Sequence, residues 1–196
     1  MVMHLRDIQK QLKENLSSKR YRHTEGVAAT ARALAARCGA DPEKAELAGW
    51  VHDCAKEMKL SNMQALIREA GLTVDAPVMQ SRALLHGPAG SVYARQAFGI
   101  EDKDILQAVY YHTTGKPDMT LMEKIVFLAD YIEPTRDFPG VDELRALAEK
   151  DLDTALIAAY DSTIRHLAET HDYIYELTLT GRNFLVLAAQ TEKTKS

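Results

Sequence analysis

Residues 112–130 read HTTGKPDMTLMEKIVFLAD, a histidine and an aspartate bounding a stretch whose apolar spacing is that of buried helix. Asp130 follows Val126 by four and Phe127 by three, so its carboxylate shares a helical face with apolar side chains. Upstream, Ile105, Val109 and His112 keep the same spacing. Recurrence at three and four continues along most of the chain, as in Val27, Ala31, Leu34 and Ala35, and no stretch alternates as a strand does. The spacing predicts an all-α chain, a single bundle of about nine or ten helices. Breakers place the ends: Gly39 after the second helix, Asp41-Pro42 at the start of the third, Gly71 after the fourth, and Gly87-Pro88 and Gly99 on either side of the next.

The 196 residues suffice for one buried core and show no shift in composition, so a single domain over 1–196 is expected, ending in the polar tail TEKTKS. A net charge of −4 argues against a nucleic-acid partner, which calls for a basic stripe. Polyphosphates remain open, because they need only a local basic group. Cys38 and Cys54 both fall in Ala-rich helical stretches and read as small buried hydrophobes in a reducing compartment. The first residues, MVMHLRDIQKQLKENL, contain no continuous apolar run, so neither a signal peptide nor a membrane span is expected and the location reads as cytoplasmic.

Four of the seven histidines stand at helix ends or on apolar faces: His23, His52, His86 and His112. His23 lies four before Val27, and His52 four after Ala48 with Asp53 beside it. Taken singly, each histidine reads as a hydrogen-bonded core residue and each aspartate as a cap. Taken together, they face one problem, since a buried carboxylate is costly without a cation or a full set of hydrogen bonds. An ion or ion pair on which these residues converge solves it for all of them. Imidazole and carboxylate without thiolate suit iron, manganese, cobalt or zinc in a site with open positions. Asp53 is the natural shared carboxylate if two ions are present.

The set His23, His52-Asp53 and Asp130 resembles the HD-domain superfamily of metal-dependent phosphohydrolases, which are all-helical. The finer likeness is to its YqeK branch, the symmetrical bis(5'-nucleosyl)-tetraphosphatases. It is carried by RYRHTEGVAATARALA (20–35), GWVHDCAKEM (49–58), LLHGPAGSVYA (84–94) and YYHTTGKPDMTLMEKIVFLADYIEPTRDFPGVDELR (110–145), with a weaker echo at YIYELTLTGRN (173–183). The resemblance implies an HD core over 20–145, and helices over 146–196 that complete the core and the nucleotide pocket. It implies cleavage of diadenosine tetraphosphate at its central anhydride to two ADP, with one or two divalent transition ions, iron before manganese, cobalt or zinc. His23, His52, Asp53 and Asp130 correspond to the metal ligands. His86 and His112 correspond to histidines that bind a second metal or face the phosphates. Lys56, Thr113 and Arg136 resemble phosphate-binding groups, and the 173–178 stretch, with Tyr175 and Thr178, resembles part of the nucleotide pocket. Asp53, Lys56, His86 and His112 are thereby the candidate catalytic residues.

Physical sense supports these roles. A Lys or Arg fixed near the metal stabilises the charge that develops on a leaving ADP. Lys56 is one helical turn from His52 and Asp53, so its ammonium can reach the site, and its alternative reading is a solvated lysine paired with a nearby acid. Arg136, just past Pro134, can clamp a phosphate or pair with Asp137 or Glu133. Trp50, Tyr110, Tyr111, Phe127 and Tyr131 read as core, while His4, His166 and His171 fall outside the pattern. The apolar NFLVLAAQ (183–190) closes the core or forms a homodimer interface. Two alternatives stand beside the tetraphosphatase: another HD nucleotide phosphohydrolase, such as a nucleotidase or dNTP triphosphohydrolase, or a non-catalytic nucleotide or metal sensor. Alarmone hydrolases typically resemble HDxxED, whereas HDCAKE places Lys56 where an acid would stand.

Overall fold

A computed structural model describes residues 2–194, with all side chains but those of 192 and 193; the last two residues of the polar tail lie outside it. Among the described residues there are eleven helices and no strand. The order is α1 (Leu5–Asn15), α2 (Ser18–Cys38), α3 (Pro42–Val51), α4 (Leu60–Glu69), α5 (Ala76–Gln80), α6 (Arg82–Phe98), α7 (Lys103–Tyr111), α8 (Leu121–Ile132), α9 (Val141–Ala148), α10 (Leu152–Glu169) and α11 (Glu176–Lys193). The all-α expectation holds, and its count of nine or ten falls slightly short. Short helices such as α5 and α9 offer too few residues for periodicity to register.

Local chemistry fixes the helix ends that matter for the site. The Ser17 side chain caps α2, and Gly39 closes it with φ of 78°. Asp41 accepts hydrogen bonds from the Glu43 and Lys44 amides while Pro42 occupies the first turn of α3. Thr120 and Glu123 form a reciprocal capping box that starts α8 at a defined residue and so sets where Asp130 emerges, 10 residues on.

One expected boundary is absent. Gly87-Pro88 does not interrupt a helix but lies inside α6, which Ser81 caps instead. The pair answers to packing rather than to chain reversal. A Cβ on Gly87 would lie 2.6 Å from the Tyr110 carbonyl oxygen of α7, so only glycine lets these helices approach so closely. The neighbouring His86 is thereby pressed against the C-terminal end of α7, where His112 stands.

The main core gathers Ile8 and Leu12 of α1, Val27 and Leu34 of α2, Val51 of α3, Val109 of α7, Ile125 and Leu128 of α8, and Tyr160 of α10. A smaller cluster joins Met63 and Ile67 of α4 to Leu85 and Ala89 of α6, with Val78 and Tyr175. Each fully buried Leu or Ile contributes about 1.5–3 kcal/mol by leaving water. The stretch that follows α3 crosses between the two clusters: Cys54 belongs to the first and Ala55 to the second. His52 and Asp53 therefore lie at a seam held by apolar packing on both sides. Cys54 is buried as expected, Cys38 is only half-buried, and both are free thiols.

The α2–α3 contact depends on Gly49, where a Cβ would stand 2.6 Å from Ala28 Cα and 2.9 Å from Ala28 N. Those are backbone atoms and cannot yield as a side chain would. Gly49→Ala is expected to destabilise the fold by about 1–3 kcal/mol, read as a lower urea midpoint at unchanged slope.

Candidate metal centre and phosphate cleft

Four helix ends deliver the imidazoles. His23 comes from the first turns of α2, His52 caps α3, His86 lies in the second turn of α6, and His112 caps α7. All four rings are buried. His52 Nδ1 donates to the Gly49 carbonyl at 2.6 Å and His112 Nδ1 to the Val109 carbonyl at 2.7 Å. A carbonyl only accepts, so the proton of each neutral ring is on Nδ1 and Nε2 carries the free lone pair. His23 Nδ1 faces Glu133 Oε1 at 2.9 Å, which fixes the same tautomer. Three bare Nε2 atoms thus point into one space.

Asp53 stands at its centre. Its Oδ2 lies 3.4 Å from His52 Nε2 and 3.7 Å from His23 Nε2, while its Oδ1 lies 3.3 Å from His86 Nε2 and 3.4 Å from His112 Nε2. Each carboxylate oxygen therefore addresses one pair of histidines. Asp130 Oδ1 approaches His23 Nε2 at 3.0 Å and His52 Nε2 at 3.8 Å. Burial pushes the Asp53 carboxyl up, but the surrounding His52, His112 and His86 more than offset this and hold it well below the usual range. For Asp130, burial is likewise outweighed, by His23 and the Arg136 guanidinium. Both side chains are carboxylates at neutral pH. Burial beside Lys56 and His112 lowers His86 to about 4 despite Asp53, so this ring is neutral there.

The cluster is short of cations. His23 Nε2, His52 Nε2 and Asp53 Oδ1 are buried without a hydrogen-bond partner among the described residues; the close approach of His23 to Asp130 is out of alignment. Leaving such groups unpaired costs about 1–3 kcal/mol each. A divalent cation satisfies them together, and the donor atoms allow it. Those of His23, His52 and Asp130 all lie within 4.8 Å of one another, as do those of His52, Asp53 and His112. Two imidazoles and one carboxylate with open positions suit a divalent transition ion better than a closed structural zinc site. Cys54, though adjacent to Asp53, turns its Sγ toward the Gly90 carbonyl at 3.4 Å, and burial pushes its thiol up, so it stays protonated and outside the donor set.

Around the mouth are the groups suited to phosphate. Lys56 Nζ is 3.1 Å from His86 Nε2, and Thr113 Oγ1 is 3.0 Å from His86 Nε2 and 3.1 Å from His112 Nε2. Lys56 reaches this position from a run of turns, not from a continuation of α3. Arg136 pairs with neither Asp137 nor Glu133: its Nε donates to the Asp130 carbonyl at 2.7 Å and its Nη2 to Asp130 Oδ1. Lys56, Thr113, Asp130 and Arg136 open onto a cavity of about 670 Å³ that runs between α8, the 136–139 loop and α10.

Tyr175 and Thr178 are not in this cluster. Tyr175 lines a second cavity, about 240 Å³, with Tyr110, Tyr111 and Thr114, and its hydroxyl donates to Asp75. Thr178 is buried near the start of α11. His171, exposed in a left-handed conformation with φ of 57°, lines neither cavity.

Three contributors escaped the sequence reading. Arg20 donates to Asp53 Oδ2 at 2.8 Å, yet it is one of several basic residues in a polar first turn. Glu133 is fully buried, accepting from the Thr135 amide and hydroxyl as well as facing His23. Its signal was available, an acid ending the apolar run FLADYIE. His166, set aside with His4 and His171, lines the larger cavity; it lies three residues after Thr163 and six after the buried Tyr160 on α10.

Residues 20–135 match the family model described as HD domain. The chain is 48% identical over 176 residues to the symmetrical bis(5'-nucleosyl)-tetraphosphatase of Halalkalibacterium halodurans, covering 90% of this chain and 94% of the relative. It is 42% identical to the protein of the same name from Bacillus subtilis, over 89% of this chain and 94% of that one. Among solved structures it is similar to a protein from Clostridium acetobutylicum described as a predicted HD superfamily hydrolase involved in NAD metabolism, with a TM-score of 0.93 and 40% identity, covering 96% of this chain and 100% of that one.

The geometry makes two demands on variants. Asp53→Ala is expected to abolish binding of divalent metal in a chelator-competition titration while far-UV circular dichroism stays helical. Glu133→Gln, which leaves all ligands in place but loosens His23, is expected to weaken metal affinity by about 10- to 100-fold.

Proposed function

This chain belongs to the HD-domain family, and we propose that within it the protein is a symmetrical bis(5'-nucleosyl)-tetraphosphatase, cleaving diadenosine tetraphosphate and water into two ADP. One observation carries the reading: a buried carboxylate, Asp53, set between two pairs of imidazoles under a mouth of lysine, arginine and threonine. The names of its relatives point to the same substrate.

In this reading His23, His52, Asp53 and Asp130 hold the metal. Two histidines and two carboxylates suit iron, manganese, cobalt or zinc, and the family reading puts iron first. His86 and His112 hold a second ion or face the phosphates, since they address the Asp53 oxygen opposite the first pair. When bound, such an ion supplies Lewis-acid polarisation of the phosphoryl oxygens and lowers the pKa of water. The protein's own groups do the rest. Thr113 and Arg136 orient the polyphosphate chain at the mouth. Lys56, its ammonium beside His86, stabilises the negative charge that gathers on the departing ADP as the central P–O bond breaks. The neutral His86 leaves that cation unopposed by a second one. Tyr175 shapes the seat of a nucleoside in the smaller cavity, with Thr178 buried just beyond its lining residues Glu176 and Leu177.

The same proposal extends to organisation. The chain forms a single domain over 1–196 with 20–145 as HD core, a reading supported by the burial of Tyr160 and Leu185, from the C-terminal helices, in the main core. A homodimer is supported by Phe184 and Leu187, which α11 turns outward. No helix among the described residues is long and apolar enough to cross a membrane. Two unpaired cysteines support a reducing, cytoplasmic setting.

Metal-reconstituted protein incubated with diadenosine tetraphosphate is expected to yield ADP as sole nucleotide product on anion-exchange chromatography. ATP plus AMP would reject the central cut, and no turnover with iron, manganese, cobalt or zinc would reject the substrate. Lys56→Ala is expected to lower kcat by about 10²- to 10³-fold with metal content unchanged, separating its role from that of the ligands.

A further inference from the structure

We infer that the larger cavity, between α8, the 136–139 loop and α10, seats the second nucleoside of the substrate, so that the dinucleotide lies across the 111–114 turn with one adenosine on either side. The inference rests on the tetraphosphatase reading and names where its other half binds.

A central cut places the midpoint of a symmetrical molecule at the metal cluster. The two halves then leave that point in different directions, and each ends in an adenosine. The structure offers a seat to each. Tyr111 and Thr114 line the smaller cavity, whereas the intervening His112 and Thr113 line the larger one. The turn that carries a cluster histidine is thus the common wall of both.

The lining of the larger cavity changes in the order that a nucleotide requires. Lys56, Asp130 and Arg136 stand where it meets the cluster, suited to phosphates and their counter-charges. Tyr131 and Phe138 supply flat aromatic surface, as the three tyrosines of the smaller cavity do. Aromatic faces hold any base by stacking, and adenine has no charge to ask for more. The wall is built in advance: Tyr131 packs edge-on against Phe138 at a centroid distance of 5.3 Å, and its hydroxyl lies 3.2 Å from Thr163 Oγ1 on α10. Ser162 and His166, on the same helix, bring hydrogen-bonding groups to the edge of a base or sugar. At about 670 Å³ the cavity falls in the size range of small-molecule sites. None of the aromatic or α10 residues is among the cluster's donor groups, so they govern how the second half of the substrate is held rather than the chemistry itself.

The test counts product sites and measures turnover on the same metal-loaded protein. Equilibrium dialysis is expected to find two ADP per wild-type chain, and one per chain when the cavity is filled by Ser162→Trp. Phe138→Ala, which removes the stacking face without adding bulk, is expected to lower kcat/KM for diadenosine tetraphosphate by about 10- to 100-fold, and Phe138→Tyr to restore it. Metal content and helicity should match wild type in every variant. One ADP per wild-type chain, with Ser162→Trp and Phe138→Ala cleaving at the wild-type kcat/KM, would overturn the second seat while leaving the tetraphosphatase reading intact. Failure of that reading would show instead in the wild type, as absence of ADP production.

Discussion

Burial of the Asp53 carboxylate is the constraint around which the rest of the structure is arranged. A lone anion at this depth would be costly, and the fold meets the cost with a guanidinium from Arg20 and with imidazoles from four separate helices whose Nε2 atoms can share a bound cation with it. Three of those rings, His23, His52 and His112, have their own support. The Nδ1 atoms are tied to Gly49 and Val109 carbonyls or to Glu133, so the rings cannot turn away or change tautomer. The apolar core on one side of the seam and the smaller cluster on the other keep water from relieving the charge.

Convergence of four helix ends demands that their axes approach more closely than ordinary side chains allow. Glycine supplies the clearance at two places, Gly49 against α2 and Gly87 against α7. The first brings His52 within reach of His23, their rings 5.3 Å apart, and the second brings His86 within reach of His112, their rings 4.8 Å apart. These glycines act on the site through helix spacing, and Gly49 also through its carbonyl, which holds His52 Nδ1.

Much of this was legible in the chain itself, and the reasons are physical. The helical class followed from apolar spacing, and His23, His52, His86, His112, Asp53 and Asp130 stood out because polar groups interrupted apolar faces. The misreading at Gly87-Pro88 came from applying a local rule about helix ends to a glycine whose role is set by a neighbouring helix. Glu133 and Arg20 were harder to see because their partners, His23 and Asp53, lie 110 and 33 residues away. Nothing in a polar helix turn says which distant anion its arginine will meet. His166 escaped for a related reason, since an exposed histidine on α10 acquires meaning only once the opposite wall of the cavity is in place.

The two classes of residue differ in exposure, and the difference matches what each must do. The imidazoles and Asp53 are buried, three of the rings held by Nδ1 hydrogen bonds of 2.6–2.9 Å, whereas the side chains of Lys56 and Arg136 remain 32% and 35% exposed at the rim. A metal centre needs donors whose positions do not change, because coordination tolerates little displacement. In the proposed reading a flexible polyphosphate enters and its products leave, and long cationic side chains can follow those oxygens while keeping their stems against the protein. In the proposed reading, buried helix ends below and partly exposed cations above are thus one division of labour, with metal ligands that interrupt apolar helical faces and phosphate-facing cations that come from turns and loops.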